Sequence, residues 1–387
     1  MIFYILLYVL LSLSLEDEKV LIAKYGLLFG GYTLTIKAGK DSSTSYVKTI
    51  NHSSQFLVRP GGSIKEESFI ENTTILSKNK TELPVSLIKE DIHIGNFSTM
   101  IKSYIITNES LFEQCDNSLP FAHKFDDESY SIVHQLYNNK IISHLAFALG
   151  KYQRYEGNFY FGKFPFDEVK SLYQSKCNVD SSDVNWSCSL QYAYFGNEQS
   201  EIYVNEEYAK FTSEHFNILA PYRFLQFMKK TVFKDYMEKG KCMYTSSDRY
   251  HFYSCDCDVL DKLEDIHFVF NNIVHTFKMK DLFEIYDPSE MGSEFCELLI
   301  SKSNDDKWSF GVMFLEKYMS QFDYESNTIS FYSEKQFETF VMKSNSISKY
   351  ISVFVFIGLL ITVVYLILIL LMNNDKIEYH SSIPGIN

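Results

Sequence analysis

Several signatures of common chemistry are missing from this 387-residue chain. It holds no glycine-rich phosphate loop, no Gly-x-Ser-x-Gly elbow and no His-Glu-x-x-His. Nucleotide cradling, the usual serine-hydrolase turn and helix-borne zinc proteolysis are therefore not expected. Cys-x-x-Cys is also absent, and the Cys255-x-Cys257 pair has no clustered His beside it, so neither a metal nor a cofactor is expected. Positive charge is scarce: 36 Lys and Arg face 49 Asp and Glu, a net charge of -13, which argues against nucleic acid as a partner.

Two apolar runs give the expected address. Residues 1–15 are apolar and end at Glu16-Asp17-Glu18-Lys19. A run this short at an N-terminus reads as a signal peptide, although it lacks a basic start. An uncleaved anchor is the alternative, and it would need about 20 apolar residues. The run from Ile351 to Met372 carries no charge. At about 1.5 Å per residue it is long enough to cross a hydrocarbon core about 30 Å thick. Polar residues 373–387 follow it, which disfavours a lipid-anchor signal. The expectation is a single-pass type I membrane protein of the secretory pathway, at the cell surface or an endolysosomal membrane. Its helix at 350–372 would contact the lipid bilayer through Ile351 to Met372, and 373–387 would form the cytoplasmic tail.

Residues 16–349 exceed a typical single core, and two lobes are expected, over 16–180 and 181–349. All seven Cys lie in this region. In an oxidising lumen most should pair, and the odd count leaves at least one over. Glycosylation sequons head at Asn51, Asn72, Asn79, Asn96, Asn108 and Asn185. The abundance of Phe (33) and Tyr (28), alongside many Asn, Lys and Ile, reads as compositional bias rather than as an aromatic binding surface.

Short alternating runs separated by polar turns predict an all-β fold. Tyr32 to Ile36, Ile92 to Asn96 and Asn158 to Gly162 are examples. Trp186, Cys188 and Leu190 alternate with Ser187, Ser189 and Gln191, predicting one buried and one exposed face. Ile266 to Phe270 and Ile273 to Phe277 predict a hairpin across Asn271-Asn272. Helical spacing is confined to residues near 129–139, a stretch after Pro221 with Leu225, Met228 and Val232, and a short one at Phe314, Leu315 and Tyr318.

In order, these runs resemble the pepsin-like aspartic proteases. The residues that carry the likeness are Trp308-Ser309-Phe310-Gly311-Val312-Met313-Phe314-Leu315-Glu316-Lys317-Tyr318, then Phe322-Asp323 and Ile329-Ser330-Phe331. Supporting runs include Leu87 to Gly95, Ser131 to Tyr137 and Gly157 to Gly162, together with Trp186. The resemblance implies a bilobal fold with an inter-lobe cleft, and a disulfide between Cys257 and Cys296. Pairing among Cys115, Cys177, Cys188, Cys242 and Cys255 stays open.

That family uses two carboxylates, one per lobe, which share a proton because like charges at close range cannot both ionise. Each sits on an Asp-Thr/Ser-Gly turn, and no such triplet occurs in this chain. Carried over by position, the first turn is Asn51-His52-Ser53-Ser54 and the second is Thr212-Ser213-Glu214-His215. Asn51 and Thr212 thus match the two catalytic positions, and neither can activate water. The flap tyrosine position falls on Lys78. The apolar brace of each turn falls on Ser118-Leu119-Pro120 and Ser309-Phe310-Gly311. Asp41-Ser42-Ser43-Thr44-Ser45 is an alternative first turn, but no apolar strand fits between Gly39 and it, and it reads as a polar hairpin loop. Glu214 as a displaced carboxylate, and His52 with His215 as a titrating pair, are weaker alternatives. The leading expectation is a catalytically inactive homologue that binds a peptide or protein in its cleft. An active endopeptidase with displaced catalytic residues, and a structural or adhesive surface glycoprotein, are the rivals.

Overall fold

Two-residue alternation forms strands in three sheets, of 13, 9 and 4 strands among the described residues. In the computed structural model those residues are 21–28, 31–38, 43–50, 57–58, 69–76, 82–94, 97–105, 118–124, 131–150, 157–164, 166, 169–196, 202–204, 207–246, 251–286, 295–341 and 356–369. Helices are few and short, so the fold is all-β. The chain divides into two compact units, Met1–Phe340 and Val341–Asn387.

Local chemistry explains most elements. The predicted hairpin forms between Ile266–Phe270 and Ile273–Phe277. Asn271 and Asn272 both take positive φ, 49° and 61°, as a two-residue turn matching strand twist requires. Asn tolerates this left-handed region better than most residues. The helix Ile132–Asn138 starts at Ser131, whose hydroxyl accepts from the His134 N–H, and it buries Ile132, Val133 and Leu136. Pro221 precedes the helix Tyr222–Thr231, which buries Phe224, Leu225 and Met228. A six-residue helix, Val312–Lys317, follows Gly311. The polar stretch 39–42 joins Gly31–Ala38 to Ser43–Ile50, two antiparallel strands with Ala38 opposite Ser43.

One expected alternation fails. In the strand Ser187–Phe195, Ser187 is buried beside Trp186 and Cys188 instead of facing out. Its hydroxyl donates to the Asp183 carboxylate at 2.5 Å, so the buried polar group is satisfied. Hydrogen bonding thus overrides the two-residue pattern.

The 13-stranded sheet joins distant parts of the chain. Met319–Asp323 pairs with Ala146–Leu149, and Thr328–Ser333 pairs with Tyr173–Asn178. Across this junction Phe147 and Phe322 stack with centroids 4.6 Å apart. Trp186 and Trp308 are both buried, the latter packed on Phe224 and Phe310. Each such side chain contributes about 2–3 kcal/mol of burial.

Three disulfides form among the described residues. Cys257–Cys296 is the pair implied by the resemblance. Cys242–Cys255 and Cys177–Cys188, left open by the sequence, are settled by strand geometry. Cys242 and Cys255 stand directly opposite on paired strands. Cys177 and Cys188 tie the 13-stranded to the 9-stranded sheet. Cys115 and residues 1–15 lie outside the described residues.

In the second unit a helix covers 356–369 with its side chains exposed, among them Phe356, Leu360 and Leu366. Residues 342–355 and 370–387 lie outside the described residues. No helix among the described residues is long and apolar enough to cross a membrane.

Candidate functional site

Two places in the chain share one strand topology. In the second, the strand Tyr208–Phe211 runs into residues 212–217 and returns as Ile218–Ala220. The strand Trp308–Phe310 threads between them, parallel to the first and antiparallel to the second. A fourth strand, Ile300–Lys302, lies parallel to Ile218–Ala220 on the outside. In the first half, Ser43–Ile50 leads through 51–56 to Leu57–Val58, with Ser118–Pro120 threaded between in the same two senses. Phe97–Ile105 lies parallel to Leu57–Val58 outside it. The registers also agree: Ile50 stands opposite Pro120 as Phe211 stands opposite Phe310. Asn51 and Thr212 are therefore each the first residue after equivalent feeding strands.

The second turn is described in full. Thr212 is completely buried, and its N–H donates to the Phe310 carbonyl at 3.0 Å. Its hydroxyl accepts from the Glu214 N–H at 3.2 Å, closing a small local turn. Ser213 is buried too, whereas Glu214 and His215 are half-buried. The Glu214 carboxylate lies 3.8 Å from the Lys210 ammonium, a loose and partly solvated pair. His215 Nδ1 donates to the Asn217 carbonyl at 2.8 Å, which puts the ring proton on that nitrogen. Its Nε2 then accepts from the Ser309 hydroxyl, also at 2.8 Å. His215 therefore ties the turn to the crossing strand.

Gly311 explains how closely the turn is held. A Cβ there would fall far inside contact distance of the His215 and Asn217 carbonyls. Its N–H donates to Asn217 O at 3.1 Å. The first two N–H groups of the helix Val312–Lys317 donate to His215 O at 2.9 Å and Phe216 O at 3.1 Å. Turn carbonyls thus satisfy donors that a helix start leaves open.

Register places the first brace one residue later than sequence alone suggests. Pro120 corresponds to Phe310, so Phe121 corresponds to Gly311, and the brace is Leu119-Pro120-Phe121. Phe121 is buried, packs on Phe147 and Phe159, and its carbonyl accepts from Trp186 Nε1 at 2.6 Å. A turn approaching Phe121 as 212–217 approaches Gly311 would meet its Cβ. No sequence motif marks Phe121; only the strand pairing identifies it.

Chemically, the described turn offers two hydroxyls, an imidazole used as a brace and the Glu214 carboxylate. Thr212 cannot hold or exchange a proton near neutral pH. Among the described residues, no group of three His, Cys, Asp or Glu side chains is arranged to hold a metal ion.

The other predicted positions are partly visible. Asn51, His52, Ser53 and Ser54 lie outside the described residues, as do Asn79, Asn96 and Asn108. So does Lys78, in the 77–81 connection between the antiparallel strands Phe69–Leu76 and Glu82–Ile94. Asn72 lies on the first of these, opposite Ser86. Asn185 is half-buried, and its amide Nδ2 donates to Asp183 Oδ1 at 2.8 Å. Burial pushes the Asp183 carboxyl up. Hydrogen bonds from Ser187 and Asn185, with the Lys210 charge, outweigh that and hold it below the ordinary carboxylate range.

Residues 118–333, more than half of the chain, match the family model described as eukaryotic aspartyl protease. The match begins at the first crossing strand and includes the whole second turn. No curated protein matches the chain significantly.

Proposed function

Since the chain belongs to the eukaryotic aspartyl protease family, we propose that it is a membrane-anchored member that binds a peptide or protein between its lobes without cutting it. Asn51 and Thr212 stand, in this reading, where the two catalytic carboxylates belong. The observation that carries it is Thr212: a buried hydroxyl residue in first place after the feeding strand, with the surrounding turn and brace preserved. Peptide hydrolysis in this family needs a base to activate water and an acid to protonate the scissile carbonyl. Thr supplies neither. Phe121 in place of a second bracing glycine supports the same reading, because a turn held as tightly as 212–217 does not fit against it.

In this reading, strand edges along a groove between the lobes hold an extended peptide by main-chain hydrogen bonds. Anchoring through Ile351 to Met372 is supported by the uncharged run and by the exposed apolar side chains of the helix over 356–369. The proposed location is the secretory pathway, at the cell surface or an endolysosomal membrane.

The test uses the detergent-solubilised full-length chain and a library of fluorogenic peptides from pH 3 to 7, with a general aspartic-protease inhibitor as control. Circular dichroism at each pH verifies the fold. The expected result is no inhibitor-sensitive cleavage at any pH where the protein is folded. Inhibitor-sensitive cleavage would overturn inactivity and favour displaced catalytic residues.

A further inference from the structure

Strand register in the 4-stranded sheet sets three cysteines in one row. The sheet runs in the order Cys242–Ser246, His251–Asp256, Phe295–Leu298 and Phe283–Tyr286. Cys255 faces Cys242 on one neighbouring strand and Cys296 on the other. Residues directly opposite each other project from the same face of a sheet. Their Cα atoms lie about 4.5–5.5 Å apart, within the span that a disulfide bridges. Two disulfides divide these sulfurs: Cys242–Cys255 within the row, and Cys257–Cys296, which leaves it. Cys255 therefore stands between its present partner and a second sulfur within reach.

Accessibility separates these sulfurs. Cys242, Cys255 and Cys296 are buried, Cys296 completely, whereas Cys257 is half-buried. A thiol arriving from solvent meets Cys257 first. Its thiolate forms a mixed disulfide with Cys257, and the Cys257–Cys296 bond breaks with its electron pair leaving on Cys296. Cys296 lies in the main apolar cluster, which disfavours the anion left there. Cys255 faces that anion across the strand pair, with Cys242 on its far side. Attack from the side away from the leaving sulfur is the approach that exchange at sulfur requires. A Cys255–Cys296 bond then forms, the Cys242–Cys255 bond breaks, and Cys242 leaves as a thiolate that takes a proton from water. Two sulfur–sulfur bonds stand before and after, so the thiol is the one co-reactant needed.

We propose that Cys257 is a site of modification by low-molecular-weight thiols, and that its opening passes through Cys296 and Cys255 to release Cys242. The exchange moves the covalent tie off the strand Cys242–Ser246, which then stays on His251–Asp256 without a covalent bond. The site does not depend on the groove between lobes, so it stands or falls separately from the reading above.

The probe is 2-mercaptoethanol, added in rising excess at pH 8 to the full-length chain in detergent. Free thiols are capped at intervals with N-ethylmaleimide, and the bonds are mapped by peptide mass spectrometry. Near-ultraviolet circular dichroism verifies the fold throughout. The early product should carry mercaptoethanol on Cys257, a Cys255–Cys296 disulfide and a capped Cys242. Cys257→Ser supplies a second measurement, because it frees Cys296 with no thiol added. In that variant the Cys255–Cys296 bond should hold about one tenth of the chains or more at equilibrium, rather than none. A Cys257 adduct beside a capped Cys296 and an intact Cys242–Cys255 bond would overturn the proposal. So would opening of Cys242–Cys255 while Cys257–Cys296 stays closed, or resistance of both bonds until the chain unfolds. A folded Cys257→Ser variant whose Cys296 is free in every chain would overturn it too. If that variant does not fold, the mapping on the unmodified chain decides alone.

Discussion

At the scale of single residues, Gly311 and His275 carry the clearest consequences. Gly311→Ala forces a Cβ against two backbone carbonyls of the turn, and backbone cannot move aside as a flexible side chain would. The expected loss is about 1–3 kcal/mol of stability, measured by denaturant unfolding. His275 lies fully buried among Phe270, Phe314, Tyr318, Phe331 and Phe337, with no charged side chain in that ring of neighbours. Burial pushes its pKa down to about 3. The native ring is therefore neutral below pH 6.5, whereas the unfolded ring takes up a proton there. Its contribution to stability is complete above pH 6.5 and is lost progressively as the pH falls toward 3, by at most about 1.4 kcal/mol per pH unit. Melting curves at pH 7, 6, 5 and 4 should show this decline, and His275→Phe should flatten part of it. The place of Gly311 against the second turn was legible through the resemblance, which put it in that turn's brace, whereas the surroundings of His275 were not, because they depend on strands far away in the chain.

At the scale of elements, the hairpin across Asn271-Asn272 offers a sharp test. Both residues hold positive φ, which glycine adopts without strain and β-branched residues resist. Asn272→Gly should leave stability within about 0.5 kcal/mol of the unmodified protein or raise it, since Asn272 uses only main-chain atoms in donating its N–H to Gln191 Oε1 and accepting from the Phe340 N–H. Asn272→Val should cost about 1–3 kcal/mol. Equal melting temperatures for the two variants would show that the turn does not govern this hairpin. The hairpin was legible because its strands and turn are contiguous. The helices after Ser131 and Pro221 were legible for the same reason: cap, first turn and apolar spacing are local. The inward-facing Ser187 was not, since its partner Asp183 belongs to a preceding loop that alternation does not describe.

At the scale of the whole molecule, the repeated four-strand arrangement matters most. It matches Asn51 with Thr212 by position, independently of residue type. Restoring carboxylates alone should nevertheless be insufficient. The double variant Asn51→Asp, Thr212→Asp keeps Ser53, Glu214 and Phe121 where the turn and brace would need glycine. Peptide cleavage at acid pH should remain at background in that variant. Efficient cleavage would mean that carboxylate identity outweighs turn geometry. Placing the two halves of this repeat required pairing strands far apart in the chain, Lys48 opposite Ser118 in the first and Ala209 opposite Trp308 in the second.

By itself the sequence determined the all-β class, the family, most local turns and helices, and the missing Asp-Thr-Gly triplets. Each of these follows from neighbouring residues, whose periodicity and caps act over a few positions. Tertiary structure decided the disulfides Cys177–Cys188 and Cys242–Cys255, the position of Phe121 opposite Gly311, and the row of Cys242, Cys255 and Cys296. These depend on which strands become neighbours and in what register. A shift of one residue in register would exchange the residues that meet, and no local pattern records that choice.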